Sequence, residues 1–247
     1  MNSQKQQEIE IQHNYYARTA GRYDEMHVNK KDEHFFALAF MLAAIDYLEV
    51  RSILDIGSGT GRVVRYIKEN RPEMQIVGVE PVRELREVGY SHGLSENELI
   101  KGDATKLKFD DGQFDMVCEF GVLHHIKHPE KAVSEMLRVA KKAIFISDSN
   151  NFGQGRLLVR TAKQALNALG LWRVADFIKT KGKGYTISEG DGLAYSYSIF
   201  NSYQLIKTRC ERVHLLNTND GGSNFYRTAG HIALLGIKKN IRLEPIA

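Results

Sequence analysis

Leu54-Asp55-Ile56-Gly57-Ser58-Gly59-Thr60-Gly61-Arg62 closes a short apolar run that begins at Arg51 and opens a stretch of helical periodicity reaching Asn70. Glycines let a chain turn sharply between strand and helix, and let a ligand lie against main-chain N–H groups with no Cβ between them. The spacing is Gly-x-Gly-x-Gly rather than the Gly-x-Gly-x-x-Gly of dinucleotide-binding turns. Asp55, at the strand's end beside the loop, would repel a pyrophosphate and attract a cation. The loop therefore points away from a nicotinamide dinucleotide.

Outward from this turn the pattern alternates. Strands are expected over Gln75–Glu80, Glu98–Asp103, Phe114–Phe120 and Ala143–Asp148. Helices are expected from Val82 to about Ser91 and after His128-Pro129, where Glu130 sits in the first turn. Short strands separated by helices imply crossover units, hence a parallel sheet covered on both faces. Upstream, residues 1–30 read as a mobile arm or short helix, and Asp32 can cap a helix running to about Leu48. Downstream, Arg156 to about Lys179 reads as one long amphipathic stretch, 181–197 as a Gly- and Tyr-rich loop, and 200–209 as a helix. Arg212–Leu216 and His231–Lys238 read as two strands joined through Asn219-Asp220-Gly221-Gly222, too close for a crossover helix and therefore antiparallel.

The fold class expected is α/β: a Rossmann-like doubly wound sheet of seven strands, mostly parallel with an antiparallel C-terminal hairpin strand. An N-terminal helical arm and a helical insertion after strand five complete it. One domain is expected over 1–247, divided into an arm and helix (1–49), a ligand-binding half (50–148), an insertion (149–209) and C-terminal strands (210–239).

Composition agrees. With 247 residues, 43% of them hydrophobic, the chain can bury a sizeable core, which excludes a disordered tail or a small disulfide scaffold. The longest apolar run, Phe35–Ile45, is too short to span a bilayer. The N-terminus has no basic start and no apolar core of a secretory signal. Cys118 and Cys210 belong to no Cys-x-x-Cys pair, which favours a reducing, cytoplasmic compartment and argues against structural zinc. The net charge of +4 demands no nucleic acid, but it is unevenly spread: 156–183 carries seven basic residues and one acid, Asp176.

Glu80 and Asp103 end the second and third strands as Asp55 ends the first. A carboxylate in Glu80's place can accept from both hydroxyls of a ribose. Asp103 can accept from an adenine exocyclic amine while the Ala104 N–H donates to a ring nitrogen. Three acids at one edge of the sheet point to a nucleoside ligand.

LDIGSGTGR, VGVEP, KGDATKLKF and FDMVCEFGVLHHIKHPEKAVSEMLRVAKK together resemble the class I S-adenosylmethionine-dependent methyltransferases, nearest the small-molecule branch of ubiquinone and menaquinone biosynthesis. The likeness covers about residues 50–148, with a weaker echo at Arg22-Tyr23-Asp24. It implies S-adenosyl-L-methionine as donor and S-adenosyl-L-homocysteine as product. It further implies that Asp55, Gly57 and Gly61, with Ser58 and Gly59, face the methionine moiety. Glu80, with Pro81 beside it, would face the ribose, and Asp103 with Ala104 the adenine. The main chain at Phe120-Gly121 would face the ammonium, and Tyr23 would cap the donor.

Methyl transfer needs an aligned acceptor shielded from water, and a base only for a weakly acidic acceptor. His124 and His125 are the first candidates for that base, and Glu119 for orienting the ammonium or the acceptor. No metal is expected, because no carboxylate or cysteine stands at helical ligand spacing from these histidines. The polar run Asp148-Ser149-Asn150-Asn151 is a candidate acceptor contact, and Tyr185, Tyr195, Tyr197 and Phe200 candidate lid aromatics. The expected reaction is methylation of an O or N atom of a small polar, anionic or sugar-containing metabolite, with no nucleic-acid partner. The alternatives are a nicotinamide-dependent oxidoreductase and a donor-binding protein without turnover. The basic stretch 156–183 is a candidate contact with an anionic substrate or a membrane surface.

Overall fold

The structure, a computed structural model, describes residues 3–28, 31–219 and 222–239. The N-terminal region forms α1 (Ser3–Thr19), a helical turn, and α2 (Tyr23–His27). It is thus more helical than an arm, because its contacts lie with the body: the Tyr15 hydroxyl donates to Glu189 O, and Lys127 pairs with the buried Glu8 at 2.8 Å. Asp32 caps α3 (Glu33–Tyr47) by accepting from Phe35 N, as its position before an apolar run foretold.

β1 (Ser52–Ile56), α4 (Arg62–Asn70), β2 (Gln75–Val79), α5 (Arg83–Ser91), β3 (Leu99–Ile100), β4 (Phe114–Phe120), α6 (Pro129–Val139) and β5 (Ala140–Ser149) follow in the expected alternation. β3 is shorter than expected, since it is an edge strand that pairs with β2 only through Gly78 and Val79. β5 begins three residues earlier, Ala140 pairing with Phe114 across an irregularity in register. The long amphipathic stretch is two helices, α7 (Leu157–Ala168) and α8 (Trp172–Lys179), broken at Gly170, whose φ of +72° no helix continues. The expected loop at 181–197 contains a hairpin, β6 (Tyr185–Ser188) and β7 (Gly192–Tyr195). Then come α9 (Ile199–Arg209), β8 (Cys210–Asn217) and β9 (His231–Lys238). Of the turn expected between the last two strands, Asp220 and Gly221 lie outside the described residues.

The main sheet has seven strands in the order β3-β2-β1-β4-β5-β9-β8. β1 to β5 are parallel, and β9 is antiparallel to both β5 and β8. Alternate side chains feed opposite faces. Ile53 joins the layer under α3 and α4 with Leu38, Ile45 and Val64, while Leu54 joins the layer under α6 and α9 with Val133, Met136 and Ile206. The chain winds from β1 outward through β2 and β3, then crosses back to β4. A crevice therefore opens where β1 and β4 end, the place where doubly wound sheets take ligands.

Candidate active site

A cavity of about 300 Å³ lies at that crevice. Its floor is the turn after β1. Gly57 N and Ser58 N both donate to Val79 O, and Gly59 N donates to Glu80 Oε2 at 3.0 Å, so the turn is tied to the end of β2. Gly59 has φ +56°, and a Cβ there would come within 2.9 Å of the Tyr23 hydroxyl. Only glycine lets α2 close so near the loop. Glu80 accepts a second N–H, from Val82 at 2.8 Å, and is buried. Burial pushes its carboxyl up to about 7 despite these donors. Asp55 is pushed up to about 7 in the same way, and its carboxyl is held by the Ser58 hydroxyl.

The arm is anchored by charge. Asp24 accepts from Thr60 Oγ1 and pairs with Arg65 at 3.0 Å, and Arg62 donates to His27 O. Tyr23 thereby reaches the cavity wall. On the far wall, Asp103 Oδ1 accepts from Thr105 N and Oγ1, each at 2.8 Å, which fixes the carboxylate beside Ala104. Phe120 and Gly121 complete the floor at the end of β4.

Beside them sits a chain of titratable groups. His124 Nδ1 is 2.7 Å from Asp148 Oδ1, and its Nε2 is 3.4 Å from Asp191 Oδ2, on the loop between β6 and β7. Burial alone would lower His124, but the two carboxylates outweigh it and hold its pKa well above the ordinary range. Asp191, in turn, is held far below a normal carboxylate by the two histidines, against the effect of burial. His125 behaves oppositely. Burial and the neighbouring His124 lower it, so it is neutral. Its Nδ1 donates to Leu193 O at 2.7 Å, which leaves Nε2 to accept from the Tyr16 hydroxyl at 2.9 Å. Glu119, with Oε2 accepting from Val122 N and Oε1 buried without a partner, is pushed well up by burial and by Asp148. Behind Gly121, His34 is lowered well below its usual range by burial and by the neighbouring His231, and is neutral.

Eight of the sequence-assigned donor contacts share the cavity wall: Tyr23, Gly57, Gly59, Glu80, Pro81, Asp103, Ala104 and Phe120. Asp55, Ser58 and Gly61 stand one layer behind, shaping the turn. Of the base candidates, His125 faces the cavity, whereas His124 is enclosed between Asp148 and Asp191, and Glu119 is fully buried beneath the loop. Asn150 is no acceptor contact. Its side-chain amide donates to Phe225 O, Tyr226 O and Ala229 O, and its Oδ1 accepts from Ser198 Oγ, so every polar atom is spent inside the fold. Tyr195 lines the cavity, while Tyr197 is buried and Phe200 packs on Tyr226.

Sequence reasoning missed Tyr16 and Asp191. Asp191 lies 66 positions from His125 in a run of glycines, and only the hairpin brings it there. It supplies the carboxylate that sequence spacing lacked: ligand atoms of His124, His125 and Asp191 lie within 4.8 Å of one another, a spacing a divalent cation would accept. An imidazolium at His124 satisfies the same carboxylates without an ion.

S-adenosylmethionine, implied by the sequence resemblance, fits this wall. Bare glycine backbone, the two-oxygen acid Glu80, and Asp103 fixed beside Ala104 all line the one cavity. The acids Glu80 and Asp103 suit a donor that carries positive charge and no phosphate.

Comparison with known proteins agrees with this geometry. Residues 54–146 match the family described as "Methyltransferase domain". Demethylmenaquinone methyltransferase of Thermotoga maritima is 30% identical over 90 residues, 36% of this chain and 39% of its own. A ubiquinone/menaquinone biosynthesis C-methyltransferase of Pseudomonas fluorescens is 33% identical over 123 residues, 47% of this chain and 44% of its own. The chain thus spans less than half the length of these curated relatives. Among solved structures, a Thermotoga maritima protein described as a SAM-dependent methyltransferase, possible histamine N-methyltransferase, superposes with TM-score 0.56 at 21% identity. It covers 92% of this chain and 99% of its own, a likeness of fold.

Proposed function

We propose, from the premise that residues 54–146 are a class I S-adenosylmethionine-dependent methyltransferase domain, that this protein moves a methyl group to an oxygen or nitrogen atom of a small polar acceptor. The observation that carries the reading is the shared wall: the donor contacts Gly57, Glu80 and Asp103 line the same cavity as Tyr16 and His125. Bound there, the donor supplies a methyl group on a positively charged sulfur, open to in-line attack.

The chain's own residues then have separate tasks. Glu80 holds two hydroxyls, and Asp103 with Ala104 holds a base edge. Tyr23 and α1 cover the cavity and keep water from the transfer path. His125, neutral and with its Nδ1 proton fixed on Leu193 O, takes the acceptor's proton at Nε2, relayed through the Tyr16 hydroxyl. Asp191, 3.4 Å away, favours the imidazolium so formed. A hydroxyl acceptor needs this path most, because it is a weak nucleophile until its proton leaves, whereas a neutral amine attacks through a free lone pair.

Calorimetry with S-adenosylhomocysteine tests the donor half. Glu80→Ala and Asp103→Ala should each weaken binding by about 1–3 kcal/mol. Unchanged affinity in both variants would overturn the donor assignment. His125→Ala should leave that affinity intact and lower turnover by roughly a hundredfold or more. Binding without turnover on any acceptor would favour a donor-binding protein. The names of the quinone-pathway relatives favour a second reading, methylation of a carbon on an aromatic ring, which mass spectrometry of the product separates from O- or N-methylation.

A further inference from the structure

The two helices of the insertion are largely open to solvent. Neither α7 nor α8 has a fully buried residue, and nine of the fourteen exposed large hydrophobics among the described residues fall between Leu157 and Ile187. Leu158 is 84% exposed, Leu169 71%, Ile178 70% and Phe177 62%. Such a concentration leaves too much apolar surface in water for a finished outer face. The same segment carries the protein's positive charge: seven basic residues against one acid between 156 and 183, or +6, while the whole chain is only +4. Asp176, the one acid, is already engaged, accepting from the Ser196 hydroxyl and standing 3.9 Å from Lys179. Arg156, Arg173, Lys179, Lys181 and Lys183 are all exposed.

Charge selects the occupant. A second copy of this face would bring +6 against +6 across the contact. A nucleic acid would meet the cations but leave Leu158 and Phe177 wet. An anionic bilayer meets both demands, with apolar side chains entering the boundary between headgroups and acyl chains and basic side chains reaching the phosphates. The helices have 12 and 8 residues, and no helix among the described residues is long or apolar enough to cross a membrane, so the segment can lie on a bilayer and not through it. The turn at Gly170 keeps α8 in contact with α7, giving a two-helix foot.

We propose that α7 and α8 dock the protein on a membrane surface rich in anionic lipid, with Leu158 and Phe177 inserted and Arg156, Arg173 and Lys181 on the headgroups. From Lys183 the chain runs directly into the β6–β7 hairpin, whose Tyr195 lines the cavity, so the docked foot sets the cavity's outer wall close to the lipid. A small polar acceptor group carried on a lipid, the substrate class of the proposed function, would then arrive without leaving the surface.

Vesicle flotation of the full chain tests this. Binding should occur on phosphatidylcholine vesicles containing a third phosphatidylglycerol, fail on phosphatidylcholine alone, and fall steeply at high salt. Leu158→Glu with Phe177→Glu should lower binding by roughly tenfold or more, and Arg173→Glu with Lys181→Glu likewise. S-adenosylhomocysteine affinity and melting temperature should stay unchanged, which separates loss of docking from loss of fold or of the donor site. Equal binding to neutral and anionic vesicles, or none to either, would overturn the proposal. So would variants that bind vesicles normally while converting a dimer to a monomer in sedimentation, since the face would then belong to a second copy.

Discussion

Glu80 accepts two backbone N–H bonds and still has its carboxyl pushed up to about 7, because burial outweighs both donors; Asp55 behind it is in the same condition. Hydroxyl donors from a ribose would stabilise the ionised form of Glu80, and a cationic ligand would do the same for Asp55. Binding therefore lowers both pKa values, and ligand binding releases protons wherever the free groups still hold them. The sign follows from linkage: affinity for S-adenosylmethionine or its product rises as pH increases from about 6 to about 8, where the free carboxyls lose their protons, and levels off above. Calorimetry in buffers of different ionisation heat measures the release, and Glu80→Gln should reduce it. A flat affinity across this range, with no proton release, would mean that neither carboxyl responds to the ligand.

At the scale of elements, the hairpin of β6 and β7 is held to the body by a few contacts. Leu193 O accepts from His125, Leu193 N donates to Gln12 of α1, and Asp191 faces His124 and His125 at 3.4 Å each. Asp191 is 45% exposed, so its ion pairs are partly screened, and Asp191→Asn should cost the docked hairpin about 1 kcal/mol. Hydrogen exchange would register this as roughly fivefold faster opening of the amides near Leu193, with the central strands unaffected. No change there would assign the hairpin's position to α1 and the His125–Leu193 bond, without the ion pairs. This element was the least legible in the sequence. The central strands announce themselves because each is a short apolar run ended by a glycine or an acid, and α3 because Asp32 precedes its apolar face. The hairpin's inner strand is legible only through partners far along the chain: Gln12, His125 and Tyr15 lie some 70 to 180 positions away, and its glycines read equally well as loop. For the same reason the candidate site was half readable. The wall assigned to the donor comes from consecutive strand ends of one segment, whereas Tyr16 and Asp191 stand 175 positions apart on either side of it.

Across the whole molecule, the insertion, the sheet and the segment before β9 meet at Asn150, just past the end of β5. Its side chain donates to three carbonyls of 225–229 and accepts from Phe152 N and the Ser198 hydroxyl, while its backbone N–H donates to Gly230 O. The approach is so close that a Cβ on Gly153 would stand 1.8 Å from Ala229 O. Asn150→Ala removes the side-chain partners together and leaves buried carbonyls without donors, a loss of roughly 2–4 kcal/mol. For a chain of this size that corresponds to a melting temperature lower by roughly 5–15 °C. Asn150→Asp should be worse at neutral pH: it keeps the acceptor oxygen, loses both amide donors, and sets a new charge two positions from the ionised Asp148 in a site with no exposure. Scanning calorimetry should therefore rank the proteins native, then alanine, then aspartate. An aspartate variant as stable as the native protein would mean that the three carbonyls find other donors, and that the insertion is joined to the sheet by packing and not by this one amide.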